Sequence, residues 1–445
     1  MSENQETPGT SRREFLQKAA VTTAVGTTVA YMPTTAEGMR RVLGANDRLQ
    51  IGHVGVGVQG GYHVNAIKEN ASANNVQQIA VCDLYVRARK NAAGRLGLKD
   101  SQIYADYRKL LANKDIDVIV IATSDNWHAD IAVDALNAGK HVYCEKPMCK
   151  TLEETFRIYD TVKKTGKKFQ IGAQRCSENR WHIARKLVAD GAIGKVVLGQ
   201  ASYMRNSGLK GEWNDYKKID KGTGPTATGD NYIDWETFRK NMGPKEWDPD
   251  RFFRWRKYWA YGSGLVGDLF PHRLYPLFIA MNLPVTGYGG WPLRVSSGGG
   301  LYVQKKHPEF SGKIDREVPD FTNIQIDFPE ECTIMAISST INEVEWQEMI
   351  RGHKASMYPG PNGIEIKPER IWAEEIEGSV EPVTGPGEDI PVHHKNLFDS
   401  IRSGKEPSGN IEVAARVQVA ITLGEMSYRQ SKTFTFDPKT RTCKS

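Results

Sequence analysis

Paired cysteines, blocks of like charge and a membrane-length apolar run are missing from this 445-residue sequence, and each absence excludes a class. Six cysteines, Cys82, Cys144, Cys149, Cys176, Cys332 and Cys443, lack the density and CxxC spacing of a disulfide or zinc framework. They are expected to be reduced and mostly buried, and no metal site is expected. The 59 basic and 53 acidic residues leave a formal charge of +6 with no run of five or six like charges, which argues against a nucleic-acid arm or a nucleic-acid partner. Internal repeats and low-complexity tracts are also lacking. What remains, 39% hydrophobic and 25% charged residues, is the balance of a globular chain long enough for two domains.

The N-terminal 47 residues do not read as fold. Ser11-Arg12-Arg13-Glu14-Phe15-Leu16-Gln17-Lys18 precedes a weakly apolar, Thr- and Gly-rich stretch, residues 19–32, which is too short to span a bilayer. Paired arginines, Phe-Leu and a mild apolar run form the twin-arginine pattern. Residues 1–47 are therefore expected to be an export signal and arm recognised by the twin-arginine machinery, which makes the protein periplasmic or otherwise exported. No clean A-x-A cleavage site follows.

From residue 48 short Val/Ile-rich runs alternate with helical stretches. Strands are expected at 49–54, 77–82, 116–122, 141–144 and 168–172, with helices at 60–68, 86–96, 130–138 and 151–165 between them. That rhythm is the βαβ pattern of a doubly wound parallel sheet, placed at residues 48–175. Beyond residue 176 a helix at 180–190 and a strand at 196–205 lead into a Gly-, Trp- and Tyr-rich insert, residues 208–262. Segments 323–328, 333–341 and 346–358 then alternate apolar and polar residues, as antiparallel strands do. Residues 176–393 are read as an α+β domain with a large, mostly antiparallel sheet, and 394–445 as closing helices at 394–403 and 412–429.

The first strand runs into Gly55-Val56-Gly57-Val58-Gln59-Gly60, and Asp83 ends the next strand. A glycine turn between strand and helix lets the backbone approach a pyrophosphate, whose charge is stabilised at the helix N-terminus. An acid at the second strand end accepts from an adenosine ribose hydroxyl and repels a 2′-phosphate, so Asp83 favours NAD over NADP, although Arg87 and Arg89 lie close by.

The segment Gly139-Lys140-His141-Val142-Tyr143-Cys144-Glu145-Lys146-Pro147 resembles the Gfo/Idh/MocA oxidoreductases, whose marker is Glu-Lys-Pro after the fifth Rossmann strand. Thr123-Ser124-Asp125-Asn126-Trp127-His128 and Gly267-Asp268-Leu269-Phe270-Pro271-His272 extend the resemblance. It implies a catalytic group of Lys146, Asp268 and His272. It implies cofactor contacts from Gly55, Gly57, Val58, Gln59, Gly60, Asp83, Leu84, Thr123, Trp127, His128, Glu145, Lys146 and Gln174, with Arg175 at the mouth of the cleft. Asp268 and His272, four apart, share a face if they begin a helix. Arg256, Trp259 and Tyr261 are candidates to stack on a sugar.

The leading expectation is a hydride transfer between tightly bound NAD and a hydroxyl carbon of a sugar, glycoside or polyol, with His272 as base, Asp268 orienting it and Lys146 polarising the oxygen. An exported enzyme must keep its cofactor, which implies a Kd on the order of 10⁻¹⁰ M. A redox-neutral glycosidase that oxidises, eliminates, hydrates and reduces is the alternative; related NAD-dependent glycosidases lack the lysine of Glu-Lys-Pro. A sugar-responsive binding protein on the same scaffold is the second alternative. The resemblance also implies a homo-oligomer, dimer or tetramer, paired through the exposed sheet face.

Overall fold

Strands buried on both faces can only belong to a sheet covered by helices on each side, and the first half of the chain supplies six of them. They are β1 (Leu49–Val54), β2 (Val76–Cys82), β3 (Ile103–Tyr104), β4 (Val118–Ile121), β5 (His141–Glu145) and β6 (Phe169–Gly172); every residue of β4 and β6 is buried. A computed structural model describes residues 47–206, 213, 218–304 and 316–445. The twin-arginine segment lies outside the described residues. All pairings in the first sheet are parallel, in the order β3-β2-β1-β4-β5-β6. This is the doubly wound Rossmann order, with its switch point between β1 and β4.

The helix Leu152–Thr165 opens with a capping box of Thr151 and Glu154, and it ends at Gly166 in the left-handed region, φ 64°. The helix after β4 differs from expectation. It spans Asp125–Asn137 and so begins five residues before the expected 130. The motif residues Asp125, Trp127 and His128 are thus its buried first turn rather than a loop.

The second sheet joins β7 (Val196–Asn206), β8 (Arg294–Gly300), β9 (Phe321–Phe328), β10 (Cys332–Ser339), β11 (Ile341–Asn342), β12 (Met349–Gly352), β13 (Ala355–Pro359), β14 (Gly363–Pro368), β15 (Ser379–Pro382), β16 (Phe434–Asp437) and β17 (Thr442–Lys444). Its order is β15-β14-β13-β12-β7-β10-β9-β8-β16-β17, with β11 beside β7; only β7 and β10 pair in parallel. The segment expected as one strand at 346–358 is a hairpin of β12 and β13. The break falls at Gly352, where a Cβ would lie 1.9 Å from the Ile193 carbonyl oxygen, so the chain turns where two backbones meet. In β9, Thr322, Ile324, Ile326 and Phe328 are buried and alternate with more exposed polar residues, the signature of a sheet covered on one side.

The covering layer is made of the helices Asn179–Ala189, Pro271–Ala280 and Ile411–Gln430. The last of these also packs on the helix Leu152–Thr165, while the helix Ile390–Ser403 packs against Val58–Glu69 and β6. The C-terminal helices therefore clasp both sheets. One hydrophobic core runs from Ala132 and Ile171 through Leu277 and Phe278 to Val417 and Ile421, and residues 48–445 form one unit. All six cysteines are free, five of them buried. No helix among the described residues is long and apolar enough to cross a membrane.

Candidate active site

The three glycines after β1 each meet a different steric demand. Gly55 has φ +83°, and a Cβ there would sit 2.6 Å from the Ala122 carbonyl oxygen. At Gly60 a Cβ would sit 2.0 Å from the Gly55 carbonyl oxygen, so only glycine lets the helix Val58–Glu69 pack against the turn. Gly57 is the opposite case: a Cβ there would meet nothing within 4 Å, because the residue faces open cavity. The first amides of the helix have no helical acceptor, and no acidic side chain occupies its first turn. A bare turn leading into free amides fits a dinucleotide pyrophosphate. Gly60 itself lies behind the cavity wall, an indirect role in place of the contact expected of it.

The cavity holds about 570 Å³ and runs from the ends of β1, β2, β4 and β5 toward the second layer. Gly55, Gly57, Val58 and Gln59 form its floor, and Asp83 and Leu84 line one end. Asp83 does more than the sequence suggested: Oδ2 accepts from the Val56 amide at 2.8 Å and Oδ1 from the Tyr85 amide at 2.9 Å, tying the glycine turn to β2. The two arginines that blurred the cofactor preference are engaged outside the cavity. Arg89 donates to the Asp83 carbonyl at 2.8 Å, and Arg87 pairs with Asn231 and Asp220.

Thr123, Trp127 and His128 line the middle of the cavity. Trp127 Nε1 donates to the Phe238 carbonyl at 3.1 Å, and the insert's Lys240 lies over its ring at 5.1 Å. His128 bridges two carbonyls, Pro147 at 2.7 Å and Thr123 at 3.2 Å, and so ties the loop after β4 to the turn after β5. A buried glutamine braces that turn from the other side: Gln418 accepts from the Met148 amide at 2.9 Å and donates to the Cys149 carbonyl at 2.8 Å.

Glu145 and Lys146, at the end of β5, point to different tasks. Glu145 Oε1 collects His63 Nε2 at 2.8 Å, Gln59 at 3.2 Å and Gln174 at 3.3 Å. Burial opposes its ionisation, but His63 and Lys146 hold the carboxyl down at about 2. Lys146 Nζ donates to the carbonyl of Asp268 at 2.7 Å and to its Oδ1 at 2.8 Å. Arg256, stacked over Trp255 at 4.3 Å, adds a bond from Nε to the same Oδ1 at 3.2 Å. Burial would raise the Asp268 carboxyl; the two cations beside it hold it well below the usual carboxylate range instead.

Asp268 and His272 do not lie on one helix. The helix Gly264–Asp268 ends, and Pro271, which has no amide proton, starts Pro271–Ala280. Both side chains still line the cavity. The expectation that Asp268 orients His272 is corrected by the geometry. Asp268 bonds Lys146 and Arg256, and His272 Nδ1 is bonded at 2.9 Å to Glu388 Oε1, from the residues just before the helix Ile390–Ser403. Burial lowers the His272 imidazole below its ordinary value, against the Glu388 bond, which raises it. Sequence reasoning missed Glu388. Its one signal is that Asp389 accounts for the helix cap, accepting from the Val392 amide at 2.8 Å, and leaves the preceding acid without a local task.

Three further expectations are corrected. Arg175 does not line the cavity: it is 4% exposed, bonded to Glu348 at 3.1 and 2.9 Å and stacked over Trp181 at 4.4 Å, a structural ion pair. Tyr261 is fully buried, its hydroxyl on the Met242 carbonyl at 3.2 Å and its ring among Trp235 and Phe238. Trp259 also stands off the cavity, beside Tyr428. Arg256 does reach it, joined by Arg205, Trp213 and Trp255, which the sequence did not single out.

Fold and site together define an α/β protein whose Rossmann layer carries a dinucleotide-binding turn. Residues 49–173 match the family described as "Oxidoreductase family, NAD-binding Rossmann fold", the same family that the Glu145-Lys146-Pro147 segment resembles. Inositol 2-dehydrogenase of Salmonella typhimurium is 35% identical over 151 residues, 34% of this chain and 44% of that protein. A glycosyl hydrolase family 109 protein of a Shewanella species is 25% identical over 320 residues, 67% of this chain and 61% of its own length. The chain thus spans less than two thirds of either relative. Among solved structures, levoglucosan dehydrogenase in complex with NADH superposes with a TM-score of 0.64 at 17% identity, covering 87% of this chain and 98% of that one. An aldose-aldose oxidoreductase from Caulobacter crescentus complexed with glycerol gives 0.61 at 19% identity, covering 87% and 100%. At these identities the likeness is one of fold.

Proposed function

We propose that the protein is an NAD-dependent oxidoreductase that moves a hydride between the nicotinamide and a carbinol carbon of a sugar, glycoside or polyol. The observation that carries this reading is the convergence of Lys146, Asp268 and His272 on the wall of the same cavity that opens at Gly57. When bound, NAD⁺ supplies the hydride acceptor.

The chain's own groups manage the proton and the oxygen. Glu388 accepts the Nδ1–H of His272, which leaves the Nε2 lone pair of a neutral imidazole free to take the hydroxyl proton as the C–H bond breaks. Lys146, fixed by Asp268, donates to the carbinol oxygen and stabilises the charge that develops there. Asp83 lines the end of the cavity beside β2, where a carboxylate accepts from an adenosine ribose hydroxyl and repels a 2′-phosphate, which supports NAD over NADP. The relatives named as inositol and levoglucosan dehydrogenases support a polyol or sugar as substrate. The twin-arginine pattern supports export with NAD retained, and the half-covered sheet supports a homo-oligomer.

Incubating the purified protein with NAD⁺ and a panel of polyols, aldoses and glycosides tests the reading. A keto product formed with NADH is expected. Failure to bind NADH on titration would overturn it. The redox-neutral glycosidase is the second reading, and the alignment with a glycosyl hydrolase family 109 protein over 67% of the chain favours it. Lys146 favours the oxidoreductase. Release of an unoxidised free sugar from a glycoside, with no net NADH, would decide for the glycosidase.

A further inference from the structure

A hydrogen bond to one nitrogen of an imidazole still lets the ring pivot about that contact. His272 Nδ1 is bonded at 2.9 Å to Glu388, and a base at this position needs Nε2 aimed at one hydroxyl. The second restraint comes from the sheet. Along β7, Ala201, Tyr203 and Arg205 fall on one face by strand alternation, and Ala201 is part of the core under the helix layer. Tyr203 therefore stands against the helix Pro271–Ala280 at its first turn, which carries His272. The phenol and imidazole rings are stacked, with centroids 4.9 Å apart and planes 19° from parallel.

The tyrosine is itself held on several sides. Its carbonyl accepts from Ser338 Oγ at 2.8 Å within the parallel pairing of β7 and β10, and its hydroxyl accepts from Arg205 Nη2 at 2.8 Å. The guanidinium carbons of Arg205 and Arg273 lie over its ring at 5.0 and 4.9 Å, and Arg273 is anchored on the Ser202 carbonyl and Glu345. A ring so restrained is a fixed wall for its neighbour. With the plane set by Tyr203 and one edge set by Glu388, the direction of the Nε2 lone pair is determined. That direction matters, because misplacing a reacting atom by about 1 Å can cost about 10²-fold in rate.

We infer that Tyr203 is a positioning residue for His272, its ring holding the imidazole in the plane from which Nε2 meets the substrate hydroxyl. The catalytic meaning of the stack rests on the function proposed above; the stack itself does not. An aromatic face within about 6 Å also favours a cation over it, so the same ring stabilises the imidazolium that forms once the proton is taken. Burial lowers the His272 imidazole, and the phenol face works against that. The charged groups facing His272 are Lys146, Asp268 and Glu388, with Arg256 on Asp268, Arg175 on the His272 carbonyl at 3.2 Å, and Arg205 and Arg273 against Tyr203. Substitution of Tyr203 leaves all of them in the chain.

Tyr203→Leu removes the ring and keeps an apolar side chain, whereas Tyr203→Phe keeps the ring and loses only the hydroxyl. In the full chain, kcat and KM are measured for a polyol or glycoside that turns over, together with the acid limb of kcat/KM and NADH affinity. The His272 imidazole is titrated separately by NMR on protein labelled at histidine Cε1, with His272→Ala assigning the signal. Tyr203→Leu is expected to lower kcat about tenfold with KM and NADH affinity within about twofold of wild type. It is expected to move the acid limb and the imidazole titration down by about half a pH unit. Tyr203→Phe is expected to return all of these to wild-type values. If Tyr203→Leu does not fold, Tyr203→Met, longer and equally without a ring, takes its place. Wild-type kcat or an unmoved imidazole titration in the ringless variant overturns the proposal. So does a loss of NADH affinity in step with kcat, which marks a structural residue, or a Tyr203→Phe variant as impaired as Tyr203→Leu, which gives the role to the hydroxyl and Arg205. If nothing in the panel turns over, the proposed function has failed on its own, and the NMR titration alone decides whether Tyr203 acts on His272.

Discussion

Two histidines in this protein are each bonded to a glutamate, His272 to Glu388 at 2.9 Å and His63 to Glu145 at 2.8 Å, yet only one is placed to do chemistry. His63 is fully buried, and its other nitrogen meets His394 at 3.0 Å in a packed group with Tyr143. Both of its nitrogens are engaged within the protein. His272 has a half-open partner, 38% exposed at the side chain, and lies on the cavity wall. The pair of contacts is nearly identical in length. What separates a structural imidazole from a candidate base is whether the second nitrogen has been left for a ligand.

Substitutions at the two sites sharpen or break that contrast. His272→Ala is expected to reduce kcat/KM for the oxidation by roughly 10²–10⁴-fold while NADH affinity holds. Steady-state kinetics and fluorescence titration check it, and a loss under threefold would erase the distinction. His63→Leu is expected to act on folding instead, costing about 3 kcal/mol because the buried Glu145 charge loses its closest partner. Urea unfolding measures that cost. Gln418→Leu, which strips partners from the Met148 amide and the Cys149 carbonyl behind Lys146, is expected to cost roughly 2 kcal/mol in the same assay.

Acid sharpens the comparison further. Burial lowers His53 to about 3 and His393 to about 4. Both are neutral in the fold, whereas the unfolded chain takes up protons from about pH 6.5 downward. The unfolded state then binds more protons, so stability is full above that pH and falls toward pH 4, by up to ~1.4 kcal/mol per pH unit for each histidine. Thermal melts between pH 7 and pH 4 follow it. The smallest effect belongs to Glu388→Gln. It keeps an acceptor for Nδ1 but removes the charge that raises His272, so the acid limb of the kcat/KM profile is expected to move to lower pH, with the plateau reduced less than about tenfold.

How far the site was legible follows from sequence distance. The glycine turn, Asp83 and Glu145-Lys146 lie at the ends of strands whose apolar runs are visible, so the sheet order that aligns those ends could be anticipated. Glu388 acts on a residue 116 positions away, and its one local mark, the neighbouring Asp389 that already caps the helix, does not point to that partner. Arg175 and Tyr261 show the converse error. Their residue types suit a sugar, but Glu348 and the Met242 carbonyl, both distant in the chain, had already claimed their polar groups.

The sequence by itself determined the parallel Rossmann sheet and the residues that face its carboxyl edge, because strand periodicity and steric limits at glycine act within a few residues. Only the tertiary structure decided which carboxylate holds which base, since hydrogen-bond partners are assigned by proximity in space. Asp268 went to a lysine and Glu388 to a histidine because the break at Pro271 and the docking of the C-terminal helices set those distances, and neither is written in any short stretch of the chain.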